Sequence, residues 1–186
     1  LAHQTTADDV MVILGDSGIN YWLSPKDEKL KERVARIPIT CFCIHGNHEG
    51  RPWESPADYK LVPWHGGLVY KEEKYPNIKF TGWKDKRDVK KYMKNSKCLV
   101  FPSKWYETAG LTVIEAQTLG IPAIVSKNCA ASEFIEEGKN GFLFENFEQL
   151  KENMMKLESK SLQVTLNNDF GIEKYLNSLK KLYGEI

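Results

Sequence analysis

Long apolar runs are missing from this 186-residue chain. No stretch approaches the roughly 20 consecutive apolar residues of a membrane helix, which excludes such a span within these residues. No signal-peptide pattern opens the sequence, and Leu1 in place of an initiator Met predicts a start inside a longer reading frame. Neither sign of charge dominates: 26 Lys and Arg stand against 25 Asp and Glu, a formal net charge of +1. That balance argues against a nucleic-acid or anionic-membrane partner. Cysteine is scarce, at four, and Cys41, Cys43, Cys98 and Cys129 lack the paired spacing of a zinc knuckle. Three of them fall in or beside apolar runs, which predicts reduced core thiols and a cytoplasmic protein. Repeats and low-complexity tracts are absent as well.

What is present is an alternation of short apolar runs and helical patterns. Residues 9–14 (DVMVIL) read as a buried strand ending in Gly-Asp. Ser24, Pro25 and Asp27 then supply a helix start, with Leu30, Val34 and Ile37 at helical spacing. A second buried strand follows at 39–44, three prolines mark 50–63 as loop, and 66–70 is a further strand candidate. From Asn77 the pattern restarts: strand 78–83, a short helix around Val89, Tyr92 and Met93, and a buried strand 98–101. A helix from about Gly110 to Leu119 ends at Gly120. Strands at 121–126 and 142–144 follow, then a helix capped by Asn146 and Gln149. A last helix carries Ile172, Tyr175, Leu176, Leu179 and Tyr183 on one face. This order predicts an α/β fold with mainly parallel strands and flanking helices.

Two carboxylates stand out, Glu107 and Glu115, in FPSKWYETAGLTVIEAQTLGIPAIVS. The spacing of such a pair is weak evidence alone; its setting is informative. A buried strand delivers a Pro-Ser turn, then Glu107 in a loop, then Gly110-Leu111-Thr112 at a helix start. Open α/β sheets bind ligands at the carboxyl ends of their strands. The unpaired N–H groups and positive dipole end of a helix start suit a diphosphate. Gly110 would let the backbone approach phosphates, and Glu115 could accept hydrogen bonds from vicinal ribose hydroxyls. The plain alternative is a pair of solvated acids beside a core strand.

With GW at 82–83, FPS at 101–103, GIPAIVS at 120–126 and NGFLF at 140–144 in order, residues 77–186 resemble the donor-binding domain of retaining GT-B glycosyltransferases of the group 1 type. The resemblance implies a nucleotide-diphosphate sugar donor, retention of anomeric configuration and no essential metal. It also implies roles: Glu107 facing the donor sugar, Glu115 holding the ribose, and the amides of Gly110, Leu111 and Thr112 meeting the diphosphate. Two opening βα units with a basic phosphate clamp, and an acceptor-binding domain, belong to that family too. Residues before 77 carry no matching pattern, and Lys104 reads as a solvated loop lysine.

Gly15-Asp16 and Gly46-Asn47-His48-Glu49 end the first two apolar runs. Either motif alone is an ordinary turn; together, residues 9–75 resemble calcineurin-like metallophosphoesterases. That resemblance implies Mn or another divalent metal, with Asp16 bridging two ions, Asn47 a ligand, and His48 the general acid oriented by Glu49. The family's opening Asp-x-His is missing, and His65 reads as a structural or surface residue. The sequence therefore predicts residues 1–76 as a partial phosphoesterase segment joined to 77–186 as a partial glycosyltransferase domain. Three functions stay open: sugar transfer, metal-dependent phosphoester hydrolysis, and a fused remnant without turnover. The last helix, lacking the amino-terminal domain it would cross to, offers a surface for self-association.

Overall fold

The computed structural model describes residues 10–14, 24–37, 39–44, 59–64, 67–82, 84–103, 110–159 and 161–164, together with 177. Within them lies one eight-stranded sheet. Its strands are β1 (Val10–Leu14), β2 (Thr40–Ile44), β3 (Tyr59–Trp64), β4 (Gly67–Glu72), β5 (Ile78–Phe80), β6 (Cys98–Phe101), β7 (Ala123–Ser126) and β8 (Gly141–Phe144). The helices are α1 (Pro25–Ala35), α2 (Lys86–Lys94), α3 (Leu111–Thr118) and α4 (Phe147–Ser159), with a 3-10 turn, η1, at Ala130–Phe134.

Strand order is β3-β4-β5-β2-β1-β6-β7-β8. The six strands from β5 to β8 in that row are parallel, and β3 and β4 add an antiparallel hairpin at one edge. Numbered by chain order alone, the parallel strands run third, second, first, fourth, fifth, sixth. This is the order of a doubly wound, dinucleotide-binding sheet. The expected α/β class with mainly parallel strands is what forms. The pairing crosses the division expected at 76–77: β1 and β2, from the first segment, stand between β5 and β6 in one six-strand parallel order.

Alternation along each strand sends side chains to two helical layers. Met11, Ile13, Cys41, Cys43, Cys98, Val100 and Ile124 pack with Val34 of α1 and Leu150, Met154 and Leu157 of α4. On the other face, Leu99, Phe101, Ala123 and Val125 pack with Met93 of α2 and Val113 and Ala116 of α3. Val12, Phe42, Ile44 and Val69 extend that face beneath Val89 and Tyr92. All four cysteines are buried and none is in a disulfide, as expected of core thiols. Helices α2 and α3 therefore lie side by side, and both begin at the carboxyl edge of the parallel strands.

Other expectations shift in detail. The loop predicted for 50–63 becomes strand from Tyr59 onward. Pro63 is tolerated because β3 is the outermost strand, where a missing N–H need not break the ladder. Strand 78–83 stops at Phe80, and η1 had no apolar period to announce it. The predicted last helix, and with it the self-association surface it would offer, lies outside the described residues except Asn177. No helix among the described residues is long and apolar enough to cross a membrane. The junction predicted at 76–77 falls inside a hydrogen-bonded turn. Asn77 donates from Nδ2 to the carbonyls of Ala35, Ile37 and Ile39 at 3.4, 3.1 and 3.2 Å, and Cys41 N–H donates to Asn77 O at 2.7 Å.

Candidate functional site

Strand order reverses between β1 and β6, the crevice where open α/β sheets bind their ligands. Ile13 pairs with Val100, so these two strands end side by side at the carboxyl edge. Pro102 and Ser103 leave β6, and the described chain resumes at Gly110, the N-cap of α3.

The starts of α2 and α3 differ sharply. Asp85 caps α2, its Oδ1 accepting from the Arg87 and Asp88 amides at 2.8 and 2.9 Å. Those backbone bonds, first that from Asp88, hold the Asp85 carboxyl below its ordinary range. The amino end of α2 is thus satisfied by its own acid. Helix α3 has no side-chain cap and no acid in its first turn. Gly110 O accepts from Val113 N at 2.8 Å, while the Leu111 and Thr112 amides have no hydrogen-bond partner among the described residues. A short helix whose first turn holds no acid among the described residues sits at the switch point.

Glu115 stands just over one turn into α3 and is partly exposed. Lys86, first residue of α2, reaches across to it, Nζ to Oε1 at 3.1 Å, with side-chain exposures of 74% and 35%. Sequence reasoning missed Lys86 because nothing local links it to Glu115; only the packing of α2 beside α3 does. Gly110 is buried, but not for conformational reasons: its φ is −76° and ψ 64°. A Cβ there would collide with Ala131 Cβ and lie 3.2 Å from Ala131 Cα. The glycine is demanded by close packing on η1, an addition to the phosphate-approach reason given from sequence.

Of the predicted site residues, Gly110, Leu111, Thr112 and Glu115 are brought together on one helix start at the carboxyl edge. Glu107, His48, Asp16 and Asn47 lie outside the described residues, as do Lys104, His65 and Glu49. Among the described residues there is no group of three or more His, Cys, Asp or Glu side chains able to hold a metal.

A sequence profile of the family described as "Glycosyl transferases group 1" matches residues 67–175. Over 112 residues the chain is 29% identical to the UDP-Gal:alpha-D-GlcNAc-diphosphoundecaprenol alpha-1,3-galactosyltransferase of Escherichia coli, covering 55% of this chain and 28% of that protein. The lipopolysaccharide outer core galactosyltransferase WaaB, in its apo form, superposes with a TM-score of 0.62 at 16% identity, over 100% of this chain and 51% of WaaB. Alr3699/HepE of Anabaena, solved with UDP-glucose, gives 0.56 at 19% identity, over 85% of this chain and 42% of HepE. The chain spans 20–28% of the length of the curated relatives it matches. The profile match starts ten residues before the predicted junction at 77, and the WaaB likeness takes in the first 76 residues. These findings lend no support to a phosphoesterase segment or to a chimera.

Proposed function

This chain belongs to the group 1 glycosyl transferases, and on that premise we propose that its carboxyl sheet edge binds a nucleotide-diphosphate sugar for retaining glycosyl transfer. The observation that carries the reading is the uncapped start of α3 at the switch point, with Glu115 one turn further on. The amides of Leu111 and Thr112, opened by Gly110, would receive the diphosphate. Glu115 would accept hydrogen bonds from the ribose hydroxyls, the Lys86 ammonium yielding or sharing the carboxylate. Glu107 would face the sugar, steadying positive charge at the reacting carbon as the bond to the diphosphate lengthens. The helix dipole would stabilise negative charge growing on the leaving diphosphate at the same moment. This assignment needs no metal cofactor.

Uridine donors are the first to test, since the E. coli relative is named for UDP-Gal and HepE was solved with UDP-glucose. The four buried thiols fit a reducing compartment, and we place the chain in the cytoplasm. Titration calorimetry with UDP-glucose and UDP-galactose should show binding that Glu115→Ala weakens by about tenfold, roughly 1.4 kcal/mol, as for a lost hydrogen bond to a charged group. No heat at millimolar donor with the unsubstituted chain would sink the proposal.

A further inference from the structure

The contact between Gly110 and η1 points to residues that govern the donor site without touching the donor. Ala131 is fully buried and seated against Gly110 so closely that no Cβ fits between them. Besides its packing in the core, η1 is tied to α3 and to the loop before β8 through one carbonyl: Phe134 O accepts from Gln117 Nε2 at 3.0 Å and from Asn140 Nδ2 at 2.9 Å. Both amide side chains are buried. Asn140 is itself fixed, its Oδ1 accepting from the Glu136 amide at 2.8 Å. The carbonyl thus has both lone-pair directions engaged by side chains from α3 and from the loop before β8.

We propose that η1 is the seat that aims the first turn of α3, with Gln117 and Asn140 as the positioning residues that hold it. The inference rests on the donor-site reading above. Gln117 comes from the same helix whose start η1 supports, so the bond closes a loop: α3 grips Phe134, and Ala131 in turn props Gly110. If Phe134 O is released, η1 can shift, Gly110 loses its fixed neighbour, and the Leu111 and Thr112 amides change direction. The ribose end depends less on this seat, because Glu115 lies beyond the first turn. Loss of the grip should therefore fall on phosphate recognition rather than on nucleoside recognition.

The test titrates the full 186-residue chain with UDP, GDP and ADP, then carries forward the tightest binder together with its nucleoside. Gln117→Met keeps length and apolar bulk but removes the donor. It should weaken the diphosphate by about fivefold, the worth of one hydrogen bond, while the nucleoside changes less than about twofold. Equal weakening of both ligands, or unchanged diphosphate affinity, overturns the assignment while leaving the donor site standing. Gly110→Ala should weaken the diphosphate more than about tenfold or prevent folding, and adding Ala131→Gly should restore it to within about threefold. Failure of that second substitution to restore folding or binding also overturns it. If the unsubstituted chain binds none of the three nucleotides at millimolar concentration, the donor-site reading falls, and this inference with it.

Discussion

Lys31 carries its charge into the seam between α1 and the β3–β4 hairpin. Its Nζ donates to Glu72 Oε2 at 2.8 Å and to Tyr59 Oη at 3.0 Å. The rings of Tyr59, Phe80 and Tyr75 stand 5.5, 5.8 and 6.0 Å from the ammonium. Burial alone would lower the Lys31 pKa, but the bonds to Glu72 and Tyr59 outweigh it and leave the pKa raised. Side-chain exposures of 5% and 11% for Lys31 and Glu72 put this pair where losing one partner strands the other. Lys31→Ala should cost about 3 kcal/mol, and Lys31→Met with Glu72→Leu should recover most of it; urea unfolding followed by circular dichroism measures both. No sequence pattern reveals this residue, because a lysine on an amphipathic helix reads as solvated. Its hydrogen-bond partners Tyr59 and Glu72 are supplied by the hairpin, far along the chain. The place of Glu115 near a helix start was legible because that start is written in local sequence. Lys86, which meets it, was not, for the same long-range reason as Lys31.

Elements declare themselves where their rules are local. Ser24 with Pro25 announced α1, and Ser24 does accept from the Lys26 amide at 3.4 Å. Asn146 with Gln149 announced α4, and Asn146 Oδ1 accepts from the Gln149 amide at 3.0 Å. Gly120 announced the end of α3 and takes φ +76°. Strand β3 and turn η1 were illegible, since each forms by pairing or packing with a neighbour rather than by its own period. Two glycines separate these causes experimentally. Gly120 has open space around an added Cβ, so Gly120→Ala should cost only the left-handed backbone term, about 1 kcal/mol. Gly141 has no conformational need, but a Cβ there would run into the Ala123 carbonyl across the β7–β8 ladder, with Ala123 C at 3.0 Å. Gly141→Ala must push β7 and β8 apart and should cost about 3 kcal/mol. Thermal melts of the two variants would rank them; equal costs would mean the β7–β8 spacing can relax.

At the scale of the molecule, strand order rather than strand content decides what can fold alone. Reading along the chain suggests a boundary at residue 77, because apolar periodicity restarts there. Pairing ignores that boundary. Strands β2 and β1 are inserted between β5 and β6, so residues 77–186 alone would hold β5 with neither of its partners and β6 with only β7. Asn77 would also lose the three carbonyls it grips from the α1–β2 connection. Such non-local pairing leaves no trace in local sequence, which is why most elements were legible and their joining was not. A fragment of residues 77–186 should therefore show no cooperative thermal transition and should aggregate through the bare edge of β6. Co-expression with residues 1–76 should restore a single melt. A cooperative melt of the fragment alone, with nucleotide affinity equal to that of the full chain, would mean that β1 and β2 are dispensable. In that case the switch-point crevice would not be where the donor binds.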